Sequence, residues 1–221
     1  MAKSSRCVIP CDEELTARNI IFLKLRYSNY IPVHKDILLS QMENLPDHRT
    51  ERYAGQMHYI KLEHIQKSTG QALVQYLYTG NVDVEAVLAA AGRSEEKHMC
   101  RVAIELLALS NTHEMPGLNE QLIRQLDEYK RKLGPQTILE AVECSTIQPD
   151  SSDGSWFRGF MRALLETAYP DLRSFMQSRI KSSRDVAETY TDSSVVTLFM
   201  DLMLEVEEKR QAENNSRDGI R

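Results

Sequence analysis

Segments that read as β-strands end at Leu62, and everything after it carries helical patterns, so the chain is limited to a small sheet covered by many helices. Asn19 to Arg26 (NIIFLKLR) is rich in apolar β-branched and aromatic residues, and the turn-prone Tyr27-Ser28-Asn29 bounds it. Tyr30 to Val33 reads as its hairpin partner, and Met57 to Leu62 (MHYIKL) alternates as a further short strand. Between them, His34 to Ser40 brings apolar residues onto one helical face and stops near Leu45-Pro46, because the residue before a proline avoids the helix. Asp47 to Gln56 is polar and predicts a loop. A few short strands need an apolar cover to be stable, so the predicted class is α+β, a small sheet flanked by a helical cluster.

The helices follow in close succession. Ser68 and Gln71 have the spacing of a capping box, Ala72, Leu73, Tyr76 and Leu77 share a stripe, and Gly80 suits the left-handed residue after a helix. A short helix over Val84 to Ala91 closes at Gly92, and Ser94 opens a longer one whose Met99, Val102, Ala103, Leu106 and Leu107 face a core. Pro116-Gly117 breaks it, and the next helix carries Leu118, Leu122, Leu126 and Tyr129 to Gly134-Pro135. Four more stripes follow: Thr137 to Val142, Trp156 to Leu165, Leu172 to Ile180, and Val195 to Val206. The expected organisation is an N-terminal segment 1–18, a mixed domain 19–133, an all-helical C-terminal extension 134–210 and a disordered tail 211–221. Cys144 to Ser155 is the best linker.

Composition excludes several function classes. The 27 basic and 32 acidic side chains leave a net charge of −5 with no basic stripe, so no direct nucleic-acid partner is expected. The apolar stretches at Ile20–Leu25 and 195–206 fall short of the roughly 20 residues of a membrane span, and no secretory signal opens the chain, so a cytoplasmic or nuclear location is expected. Cys7 and Cys11 form a single C-x3-C pair without further ligands nearby, and no metal or cofactor is expected. Phosphate-cradling loops, zincin helices and nucleophile elbows are absent, so neither enzymatic activity nor a small-molecule substrate is predicted.

One ordered set of residues goes beyond a generic α+β pattern. Ile31-Pro32-Val33-His34-Lys35-Asp36-Ile37-Leu38 follows a strand, Tyr59-Ile60-Lys61-Leu62 comes next, then Leu73 to Gly80 ending in Tyr76-Leu77-Tyr78-Thr79-Gly80, and then Leu106 to Leu118 with its Pro116-Gly117 turn. In order and spacing over about 19–133 these motifs resemble BTB/POZ domains, and the helical extension looks most like the compact members found in fungi. The resemblance implies a non-catalytic protein-interaction module whose partner is a cullin or a second chain of the same type. In cullin-binding members a hydrophobic-x-acid motif follows the first helix, and Leu45-Pro46-Asp47 is the nearest match, making Leu45 and Asp47 the candidate partner-binding residues. The implied roles are substrate adaptor of a cullin-based ubiquitin ligase or, alternatively, self-assembling or transcription-associated scaffold. Only 18 residues precede the first strand, with Pro10 and no apolar stripe, so the strand exchange of many family dimers is not expected.

Overall fold

Apolar side chains at every second position bury one face of β1 (Ile20–Leu25), where Ile21, Leu23 and Leu25 are enclosed and Ile20, Phe22 and Lys24 are half-buried. The computed structural model describes residues 19–42, 48–52, 56–92, 95–146, 149–152, 154–185 and 193–218. A tight turn returns β1 antiparallel to β2 (Asn29–His34), pairing Leu25 with Asn29 and Ile20 with His34. α1 (Lys35–Gln41) follows, then a second hairpin of β3 (His48–Arg52) and β4 (Gln56–Leu62). The four-stranded sheet has the order β2-β1-β4-β3, with β1 and β4 parallel through Phe22–Tyr59 to Leu25–Leu62.

The strand β3 corrects the loop expected over 47–56. Its sequence, HRTER, offers no apolar alternation, and its ladder with β4, from His48–Ile60 to Arg52–Gln56, forms the strand through backbone hydrogen bonds that side-chain pattern does not report. On the outer face of the sheet Lys24 lies over the Tyr59 ring at 5.0 Å and the Tyr30 ring at 5.9 Å, and its ammonium reaches Glu63 at 3.3 Å.

The inner face is covered by α2 (Lys67–Thr79), which ends at Gly80 with φ +70°, the left-handed turn its position predicts. The expected capping box does not form. Gln66, extended at φ −83° and ψ 165°, is the N-cap without a side-chain bond, while Ser68 lies inside the first turn with its buried hydroxyl unpartnered. Helices α3 (Val84–Ala90), α4 (Glu96–Thr112) and α5 (Pro116–Lys132) complete the first region. Eleven of the seventeen α4 residues are buried, because α2, α3, α5 and α6 (Pro135–Cys144) all pack around it. Ser94, the expected start of this helix, lies outside the described residues, and the N-cap is Glu95.

The last helices are α7 (Trp156–Ala168), α8 (Leu172–Asp185) and α9 (Ser193–Asp218). Val195, Phe199, Leu202, Met203 and Val206 bury one stripe of α9, and the apolar core runs without a break from Ile21 in the sheet to Met203. Arg210 reaches from α9 to close the end of α7, donating to the carbonyls of Glu166 (3.0 Å), Tyr169 (3.1 Å) and Pro170 (2.7 Å). The helix runs on to Asp218, across much of the stretch whose composition predicts a tail, and residues 211–215 are exposed there.

The β1–β2 turn places two non-glycine residues in the left-handed region, Tyr27 at φ 59° and Ser28 at φ 55°. A Cβ makes that conformation costly, by about 1–2 kcal/mol per residue. Ser28→Gly is therefore expected to stabilise the fold, by about 0.5–1 kcal/mol after the extra entropy of glycine in the unfolded chain is counted. A rise in the urea midpoint at unchanged slope is the measurement.

Candidate functional site

Two large exposed apolar side chains fall in or beside the sequence motifs, Leu39 on α1 and Tyr78 near the end of α2. His34 ends β2 and is the extended N-cap of α1, with φ −68° and ψ 129°. Its backbone N–H points away from β1 and donates to Tyr78 Oη at 3.1 Å, and its ring Nδ1 lies 2.7 Å from the same oxygen. Tyr78 Oη thus bridges the backbone and the ring of His34. The rings meet edge to face at 5.8 Å.

Two residues before His34, Pro32 has no N–H to offer, so Tyr78 and Pro32 together close the outer edge of β2 to another strand. Tyr78 remains 45 % exposed, and Leu39, one turn beyond Lys35 on α1, is 50 % exposed while its neighbour Leu38 is fully buried. An aromatic ring held by two hydrogen bonds and a bare leucine are groups that gain from being covered.

Tyr76, on the apolar stripe of α2, takes a different role from Tyr78. It is buried, which holds the phenol above its ordinary pKa against the hydrogen bond that the backbone N–H of Leu118, at the start of α5, gives its hydroxyl. A Cβ at Gly117 would stand 2.8 Å from Tyr76 Oη, so glycine is what lets α5 approach. Leu45 and Asp47 lie outside the described residues.

Inside the molecule the main polar centre is Glu105 of α4, with no exposed surface. Its Oε2 accepts from Thr69 Oγ1 of α2 at 2.6 Å, and its Oε1 accepts from Arg101 Nε at 3.1 Å, Thr146 N at 3.0 Å and Thr146 Oγ1 at 2.9 Å. One carboxylate thus joins α2, α4 and the residues after α6. The hydrogen-bond donors fully account for its presence in the core.

His64 lies close enough to sense both Glu105 and His113. Desolvation, followed by the charge of His113, holds it below its ordinary value of 6.5, against the pull of Glu105. The unfolded chain therefore takes up this proton at a higher pH than the native chain does. Stability is expected to fall as pH drops below about 6.5, down to the native-state value, and His64→Gln should remove that part of the slope. Urea titrations across pH 7.5 to about 5 measure it.

Two thiols sit in contrasting surroundings. Burial, and next the Glu96 charge, pushes Cys100 up to about 12, whereas Cys144 is exposed at the end of α6. Mapped maleimide labelling of the native protein should modify Cys144 and spare Cys100 until the chain unfolds. Among the described residues no group of three or more His, Cys, Asp or Glu side chains is placed to hold a metal, and no helix is long and apolar enough to cross a membrane. No family model, curated protein or solved structure matches this chain.

Proposed function

We propose that the chain is a non-catalytic protein-interaction module of the BTB/POZ type, acting in the cytoplasm or nucleus, with the α1–Tyr78 surface as its docking face. The observation that carries the reading is the exposed Tyr78 ring, bonded to His34 where β2 passes into α1, together with the exposed Leu39 further along α1. Its support is the order of elements: a β1–β2 hairpin, a helix begun by His34-Lys35, β4 parallel to β1, and α2 ending in Tyr-Thr-Gly. In this reading Leu45-Pro46-Asp47 holds a cullin, and the chain brings it a substrate as an adaptor of a ubiquitin ligase.

Co-purification of the full chain with cullins tests the adaptor role. Recovery of a cullin, lost in the Leu45→Ala, Asp47→Ala double variant and weakened in Leu39→Glu, is the expected result. Absence of any cullin, or recovery unaffected by these changes, rejects the adaptor role and leaves the scaffold reading, whose own test is assembly through this same face. Since Leu39 is half exposed, Leu39→Glu leaves the core intact.

A further inference from the structure

Most helices of this fold meet the open amides of their first turn with an acid or a cap. Asp83 opens α3 and accepts from the Ala86 amide, Ser155 does the same for Arg158 in α7, and Asp36 and Glu96 stand in the first turns of α1 and α4. The N-terminus of α2 has neither. Its N-cap, Gln66, makes no side-chain bond, its first turn holds no acid, and the helix opens on the exposed Lys67. The first helical hydrogen bond runs from the Gly70 amide to the Gln66 carbonyl at 3.0 Å, so the amides of Lys67, Ser68 and Thr69 have no acceptor among the described residues.

An uncapped helix end is common by itself, and Ser68 sets this one apart. The residue is 4 % exposed, and its enclosed hydroxyl has no partner. A buried polar group left unbonded is costly, and a fold that keeps one points to a group that meets it. Helical side chains lean toward the N-terminus of their helix, which aims Ser68 Oγ at the same end as the three amides. The neighbouring carboxylates are already engaged. Glu63 pairs with Lys24 at 3.3 Å and Lys61 at 3.6 Å, and Glu105 accepts from the Thr69 hydroxyl and from Arg101. Arg26, whose amide donates to the Ile65 carbonyl at 3.0 Å, adds a second basic residue at this end of α2.

We propose that the N-terminus of α2 is an oxyanion site that takes a phosphate group, held by the amides of Lys67, Ser68 and Thr69, the Ser68 hydroxyl and the Lys67 ammonium. These donors outnumber what the two oxygens of a carboxylate use and suit the three or four oxygens of a phosphate, whose charge is favoured by the helix dipole and by Lys67. Free phosphate and the phosphate of a phosphorylated residue on another chain present the same oxygens. The site lies about 16 Å from Tyr78 along the axis of α2, so it is separate from the α1–Tyr78 surface and stands whether or not the proposed function holds.

The test is a titration of the full chain with inorganic phosphate, read from the backbone amide resonances of Lys67, Ser68 and Thr69, with sodium chloride at matched ionic strength as the control. The expected result is a saturable shift of these amides at millimolar phosphate and none in chloride. Lys67→Glu, which sets a carboxylate in place of the cation, should weaken binding about tenfold and Ser68→Ala about fivefold, the worth of one charged and one neutral hydrogen bond. Ser68→Ala should also leave the urea midpoint unchanged or raised, since it removes a buried hydroxyl that the fold does not bond. The same titration with N-acetyl-phosphoserine amide separates the two sources. Tighter binding than inorganic phosphate assigns the site to a phosphorylated chain, equal or weaker binding assigns it to free phosphate, and both uphold the site. No shift, or an equal shift in chloride, overturns the proposal, as does binding that neither substitution weakens. A fall in the midpoint of Ser68→Ala overturns it too, because the hydroxyl is then bonded within the fold.

Discussion

Glu105→Ala is expected to cost about 3–5 kcal/mol, the range for breaking a fully buried charged network by removing one partner. Three donors, Thr69 Oγ1, Arg101 Nε and Thr146 N, lose their acceptor at once, together with the Thr146 hydroxyl. The side chain of Arg101 is 17 % exposed, so the guanidinium regains some water, which points to the lower part of the range. Glu105→Gln keeps the volume and one acceptor oxygen but loses the charge, and should cost about 1.5–3 kcal/mol. Denaturant titration of both variants checks the order. Equal losses for Ala and Gln would mean that the shape of the side chain and not its charge holds the three segments.

The second large effect is expected at Gly70, in the first half of α2 against the sheet. A Cβ there would lie 2.4 Å from Leu25 Cδ1, 3.2 Å from Leu25 Cδ2 and 3.3 Å from Ile31 Cδ1. Leu25 has no exposed surface, so its side chain has nowhere free to turn. Gly70→Ala gains helix propensity worth up to about 1 kcal/mol but must push α2 off the β1–β2 hairpin, and a net loss of about 1–3 kcal/mol is expected. Gly70→Val adds two further methyl groups to the same contact and should lose more. A stabilised Gly70→Ala variant would show that Leu25 repacks at little cost.

Much of the framework was legible in the residue order. The apolar β-branched run of β1, the stripes Leu118-Leu122-Leu126 and Val195-Phe199-Leu202-Val206, the glycine at position 80 and the Pro116-Gly117 break each mark an element by local pattern alone. The candidate surface was legible in pieces: His34 and Tyr78 each stood in a motif. Their hydrogen bond was not, because it spans 44 residues and depends on how β2 lies against α2. Tyr76 and Tyr78, two positions apart, showed the same chemistry in the sequence, yet one is the buried partner of Leu118 and the other an exposed ring. Glu105 stands in the sequence as a lone acid within the apolar run from Val102 to Leu109, but its partners come from α2 and from beyond α6, which no local pattern reports.

What the sequence determined by itself was periodic: a short strand-forming region, a long helical remainder, and which face of each element is apolar. Periodicity reports what one segment must bury, and burial is the largest local force acting on it. The tertiary structure alone decided the relations between segments. It made a strand of the polar β3 by giving its backbone a partner, and it placed a carboxylate in the core by surrounding it with donors. Hydrogen bonds and charges between distant residues take their energy from a geometry that exists only when the chain is folded, so no single segment carries their signature.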